Sequence, residues 1–215
     1  MGTPILLLNT KVEIQKTLGT PTNITAISKA SAAVITGTHA FSVGDLVVIK
    51  DVVGMTQINL RVVRVLSVST TVSFVAEALD SLLYSTYVSG GTAIKITAFD
   101  SFDNVTSFSY PEPAPNKIDV TTVHDTEKKE VFGLDEAPQI TMALIADPLN
   151  VAVLNLRAAS LAKATRGFRV TLQTGNVLIM NAYVAGGRGL DGSVGEVATA
   201  SASLTLAATE QFFAV

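Results

Sequence analysis

Two histidines are the first places to look for acid–base or metal chemistry. His39 lies in Gly37-Thr38-His39-Ala40-Phe41, which reads as a turn before a hairpin; His124 lies in Thr122-Val123-His124-Asp125, just after a candidate strand. Neither has a second ligand at i+2 or i+4, so both read as turn or surface histidines. Asp119 and Asp125 flank His124 and would suit an imidazole, yet no serine nearby sits in the strained elbow of a nucleophile. With no cysteine there is no disulfide, zinc knuckle or thiol nucleophile. The run Gly186-Gly187-Arg188-Gly189-Leu190-Asp191-Gly192 lacks the helix and the Gly-Lys-Ser/Thr of a phosphate loop, and reads as a connection between strands. The chain is therefore expected to be no enzyme and to have no catalytic, cofactor-binding or metal-binding residue.

One cluster survives as a candidate site: His124, Asp125, Glu127, Lys128, Lys129 and Glu130, followed by Val131, Phe132 and Leu134. The polar run from Asp125 to Glu130 cannot bury itself in its own core, while the apolar residues after it would be wasted in water. The segment from His124 to Ala137 is read as a loop, poorly ordered alone, that docks on another subunit. Val131, Phe132 and Leu134 would be its apolar anchors, and Lys128 and Lys129 would meet acidic groups of the partner.

The elements that must position this segment follow from composition and periodicity. The 215 residues, 22.5 kDa, suffice for one large β domain or two small ones. Hydrophobic residues make up 48% and mean hydropathy is +0.44, whereas charged residues are only 15%, well under the roughly 25% of ordinary soluble domains. A monomer of this mass should expose on the order of 9,500 Å². So few charges cover that area thinly, and much of it is expected to be buried against partners. A membrane is not the alternative. The longest uncharged run, Val170 to Gly187, is broken by Thr171, Gln173, Thr174, Asn176 and Asn181. Pro4-Ile5-Leu6-Leu7-Leu8 is too short for a signal-peptide core and lacks a basic segment before it. Residues 1–98 hold seven basic and five acidic side chains, a balance of +2, which leaves −5 on 99–215. That is the wrong sign for a phosphate-binding stripe.

Short alternating runs bounded by Gly, Asn, Asp or Pro dominate, as in antiparallel strands. From Val197 to Ala208, Ala198, Ala200, Ala202, Leu204, Leu206 and Ala208 form a narrow apolar face, and Thr199, Ser201, Ser203 and Thr205 a hydroxyl face. Further strands are expected at 46–50, 61–67, 72–76, 118–123, 140–145, 167–173 and 177–185. One helix is expected at about 148–165, with Asp147 as N-cap, Pro148 in the first position, Lys163 and Arg166 in the last turn and Gly167 ending it. Its flank of Ala158, Ala159 and Ala162 would let it lie close to a sheet. Lys11–Gln15 has the alternation of a strand but no partner before Thr25. A small barrel, 28–93, inserted after the first strand of a larger sandwich, 1–27 and 94–215, explains this.

From Asp100 to Val215 the chain resembles the tail tube (major tail) proteins of long-tailed bacteriophages, notably in Phe102-Asp103-Asn104-Val105-Thr106, Ile118-Asp119-Val120-Thr121-Thr122 and Gln139-Ile140-Thr141-Met142. Val34 to Ala93, with Gly44-Asp45-Leu46-Val47-Val48-Ile49 and Tyr87-Val88-Ser89-Gly90-Gly91-Thr92-Ala93, resembles a small β-barrel found in phage tail proteins. The resemblance implies a mainly β fold, a tail-tube-type β-sandwich with one flanking helix plus the inserted barrel. It further implies a structural virion protein whose six copies close into rings that stack into a conduit for DNA. The candidate segment would then make inter-subunit or inter-ring contacts. Tape measure, tail terminator and distal tail proteins are the implied partners; DNA would pass through the lumen without specific binding, and no membrane is involved. The protein would belong to the virion tail, and to the host cytoplasm during assembly. Six copies of a −5 domain give roughly −30 per ring, and a lumen sharing that sign would repel phosphate. A carbohydrate- or receptor-binding β-sandwich of a tail tip is the alternative, disfavoured by 6% aromatics and no Trp.

Overall fold

The computed structural model describes residues 8–69, 71–112, 115–135, 137–187 and 189–214. Most of the Pro4–Leu8 segment, Arg188 of the glycine run and Glu136 of the candidate segment thus lie outside the described residues. The chain runs through β1 (Lys11–Leu18), β2 (Thr22–Asn23), β3 (Ala26–Ile27), β4 (Val34–Thr36), β5 (Leu46–Val53), β6 (Val62–Ser69), β7 (Ser73–Ala76) and β8 (Ser89–Phe102). It continues through β9 (Val105–Ser109), β10 (Pro115–Asp119), β11 (Glu130–Asp135), β12 (Gln139–Ile145) and α1 (Val151–Ala162). It ends with β13 (Thr165–Thr171), β14 (Val177–Gly186), β15 (Thr199–Leu206) and β16 (Gln211–Phe213). The fold is mainly β with a large antiparallel sheet and one helix, as expected.

Fourteen strands share one sheet, in the order β3-β4-β7-β6-β5-β8-β1-β13-β14-β15-β12-β9, with β2 on β8 and β16 on β14. β1 has the partners that lay out of sight locally: Val12 faces Phe102 of β8 and Val170 of β13. The period of two along each strand sorts the side chains. Val12, Ile14, Phe168, Val170, Met180, Ala202 and Leu204 turn to one core, shared with Ala152, Val153, Leu156 and Ala159 of α1. A second core lies within the first part of the chain, around Ile35, Val47, Ile49, Met55, Ile58, Phe74 and Leu79. Between them runs a seam in which Leu46, Val48 and Val62 meet Ile96, Ile179 and Phe213. The seam is also tied by polar contacts. Asn181 donates to the Leu60 carbonyl at 2.8 Å, and the Arg64 guanidinium lies 4.2 Å from the Phe213 ring centre while ion-paired with Glu77.

The helix is shorter than 148–165. Asn150, not Asp147, is the N-cap: its side-chain oxygen accepts from the Ala152 and Val153 amides at 2.9 and 3.3 Å. Asp147 accepts from the Leu149 amide at 3.0 Å, a turn that delays the helix start. At the other end Lys163 adopts the left-handed cap (φ 50°), so Gly167 is released to β13. There a Cβ would come within 2.9 Å of Ile96 Cδ1, so a side chain at this position would require the Ile96 terminal methyl to shift. Of the three alanines only Ala159 faces the sheet; Ala158 and Ala162 are exposed. The strand expected at 118–123 is also displaced, because β10 ends at Asp119, whose carboxylate accepts the Thr121 amide and turns the chain. His39 is buried rather than at the surface, stacked on Phe41 at 4.9 Å and edge-on to Phe74 at 5.3 Å. The cap assignment predicts that Asn150→Ala lowers stability by about 1 kcal/mol, whereas Asp147→Ala costs less, measured by urea unfolding of both variants.

Candidate functional site

The candidate segment forms a hairpin. β10 and β11 form a separate two-stranded sheet in which Lys117 faces Phe132, Ile118 faces Val131 and Asp119 faces Glu130. Its tip is held by short-range polar bonds. Val120 donates to the Lys129 carbonyl at 3.0 Å, and the amide and hydroxyl of Thr122 both donate to Asp125 at 2.9 Å. Lys129 pairs with Asp125, and Lys128 pairs with Glu130 at 2.6 Å. The lysines assigned to a partner's acids are thus engaged within the hairpin itself. His124 adds no ion pair to the tip among the described residues.

Strand periodicity splits the proposed anchors. Phe132 lies on one face with Lys117 and Glu130; Val131 lies on the other with Ile118, and Leu134 falls where the register shifts between Lys117 and Pro115. Phe132 is 69% exposed and Leu134 89%. Large apolar side chains at that exposure are out of place on a free ribbon.

A second surface was legible only in part. Pairing of β12 with β15 sets Gln139 opposite Thr205, Thr141 opposite Ser203, Ala143 opposite Ser201 and Ile145 opposite Thr199. Pairing of β12 with β9 adds Ser109 beside Thr141 and Ser107 beside Ala143. These residues share the sheet face opposite the core, and Gln139 Nε2 donates to Ser203 Oγ at 2.7 Å across it. The face bears hydroxyls, one amide, a methyl and one isoleucine, and no charged side chain. The hydroxyl half of β15 was visible in the sequence; its partners in β9 and β12 were not, because register across about 60 to 100 residues has no local signature.

A groove beside the seam is lined by the charged Glu13, Asp45, Lys95 and Arg169 together with Phe99. Burial pushes the Glu13 carboxyl up, but hydrogen bonds from Arg169 (2.6 Å) and Lys11 (2.8 Å) outweigh it and hold the group below its ordinary value. Lys95 pairs with Asp45 at 2.8 Å. Its charges are mutually satisfied, so the groove reads as structure rather than chemistry. Among the described residues no group of three or more acidic, His or Cys side chains is placed to hold a metal, and no helix is long and apolar enough to cross a membrane.

Hydrogen bonds at the hairpin tip lower three carboxylates: Asp119 through the Thr121 hydroxyl and amide, Asp125 through Lys129 and then Thr122, and Glu130 through Lys128. A lowered folded value means that the bonds stabilise the tip above the ordinary carboxylate range, about pH 4, and are lost below it, as pH falls through the lowered folded values. The amide chemical shifts of residues 117–132 should therefore move toward random-coil values below about pH 4 while those of β12–β15 stay in place. An acid titration that left the hairpin signals unmoved would contradict this.

Comparison with known families and structures adds independent information. A family model described as "Phage tail tube protein, TTP" matches residues 53–214. Among solved structures, the chain is similar to the tail of an empty GTA particle, determined with C6 symmetry, at 14% identity and a TM-score of 0.41, covering 54% of this chain and 87% of that one. No curated protein matches the chain.

Proposed function

Because the chain belongs to the phage tail tube protein family, we propose that six copies close into a ring, that rings stack into the tube, and that the uncharged face of β9, β12 and β15 lines its bore. The protein's role is structural, as a component of the virion tail. The observation that carries the bore assignment is the chemistry of that face. A wall that must pass a polyanion without holding it needs neither cations, which bind phosphate, nor apolar area, which dewets; hydroxyls exchange hydrogen bonds with water at little cost. The net −5 of residues 99–215 then lies off this face and biases the field against lingering phosphate. This refines the expectation of a negative lumen: the wall itself is neutral.

The outer edge of β9 is unpaired among the described strands, and a ring in which neighbours cover such edges removes a template for uncontrolled pairing. The β10–β11 hairpin provides the contact with a neighbouring copy, through Phe132 and Leu134. Tape measure, terminator and distal tail proteins would meet the tube at its bore and ends, and assembly would take place in the host cytoplasm. Electron microscopy of assembled tubes tests the bore assignment together with Thr141→Lys/Ser203→Lys. Six copies add about twelve cations per ring, so the variant tubes should retain DNA in a salt-dependent way that the parent tubes do not. Tubes with β9, β12 and β15 facing outward would overturn it.

The barrel at 28–93 we take to stand outside the wall as a separable unit. Its own core supports this, although that core begins at Ile24. The seam sets the condition, since removing Leu46, Val48 and Val62 uncovers Ile179 and Phe213. Replacement of 28–93 by a short Gly/Ser linker should leave a chain that still forms tubes, with a melting temperature several degrees lower. Failure to fold would show the barrel to be integral.

A further inference from the structure

The outward side of α1 is apolar where a surface helix is ordinarily polar. Val151, Leu154 and Leu161 are 57%, 48% and 64% exposed, and Ala158 between them is exposed too. Their spacing of three, four and three puts them on one stripe. The only charged residue of the twelve, Arg157, is turned aside to donate to the Gly187 carbonyl at 2.6 Å. Among the described residues of the helix no other charged side chain lies on this stripe.

We propose that this stripe receives the β10–β11 hairpin of a neighbouring copy of the chain, with Phe132 seated over Ala158 between Leu154 and Leu161. The inference rests on the reading that the hairpin makes the contact between copies, and names its receptor. Three observations favour a second copy as the occupant. A rotationally closed or stacked assembly needs two unlike patches on each subunit, one for each side of the contact. This chain has a protruding apolar ribbon and a notched apolar stripe. The stripe also leaves a gap for one aromatic ring over its smallest member. Leu154 and Leu161, seven residues apart on a helix, are about 10.5 Å apart with the small Ala158 between them. Finally, Glu127 at the hairpin tip and Lys163 at the helix end are both exposed and, among the described residues, make no ion pair, so opposite charges are free to meet across the contact.

The chain has no cysteine, which makes the test direct. Phe132→Cys combined with Ala158→Cys, oxidised in assembled tubes, should give a ladder of disulfide-linked multimers on a non-reducing gel, and neither single variant should. Leu154→Ser/Leu161→Ser should remain folded by circular dichroism, since both side chains are exposed, yet lengthen into tubes at least tenfold more slowly. Lys163→Glu should slow growth and Glu127→Lys added to it should restore growth. Tubes that grow normally from Phe132→Ala/Leu134→Ala would overturn the hairpin contact itself. If that variant fails to grow but the cysteine pair gives no ladder, the hairpin contact stands and α1 as its receptor is wrong.

Discussion

Both cores depend on one strand. The fourteen residues of β8 pair with β5 through their first half and with β1 through their second, so the same backbone serves the strands around both cores. The seam follows from that continuity. Once β8 passes from one layer to the other, the faces of β5 and β6 are brought against β14 and β16, and Leu46, Val48, Val62, Ile96, Ile179 and Phe213 have no water to return to. Leu60 shows what the seam can enforce. It takes φ 63°, a region that side chains beyond glycine and asparagine rarely enter, and its carbonyl is held by Asn181 from the far side.

The scarcity of charge is resolved by segregation. The chain exposes 11,938 Å², well above the ~9,500 Å² expected for a compact monomer of its mass. Ions are concentrated at the hairpin tip and the seam groove, where they satisfy one another. The sheet face of β9, β12 and β15 has none, and the outer side of α1 has almost none. One is wet by hydroxyls; the other is not wet at all. Two surfaces equally poor in charge thus differ in what they invite, and the difference is a matter of oxygen atoms, not of sign.

Much of this was legible in the residues. Alternation placed β12, β14 and β15 within a residue or two, because a half-buried strand writes its two faces directly into the chain. Helix limits were harder, since Asp147 and Asn150 are both good caps and only the backbone decides which one the helix follows. His39 was misplaced because its partner Phe74 is 35 residues away and nothing in Thr-His-Ala announces an aromatic box. The mixed-charge run was recognisable as unusual, but its charges were assigned outward when Lys128 and Lys129 close on Glu130 and Asp125 at short range. Pleating also set Val131 apart from Phe132, a distinction that disappears when the segment is read as a loop.

Among the described residues the hairpin is a ribbon of two strands with no third strand beside it, and such a ribbon has little stability of its own. If the hairpin is the joining element proposed above, a free subunit carries it in a form that must be ordered at the moment of joining, and that ordering would oppose the first encounter of two free chains more than the addition of a chain to an existing rim. Growth is then disfavoured in bulk and favoured on a seed. On that reading a pool of subunits would remain dissolved until a first ring is offered, and the number of tubes would be set by the number of such starting points and not by the amount of protein made.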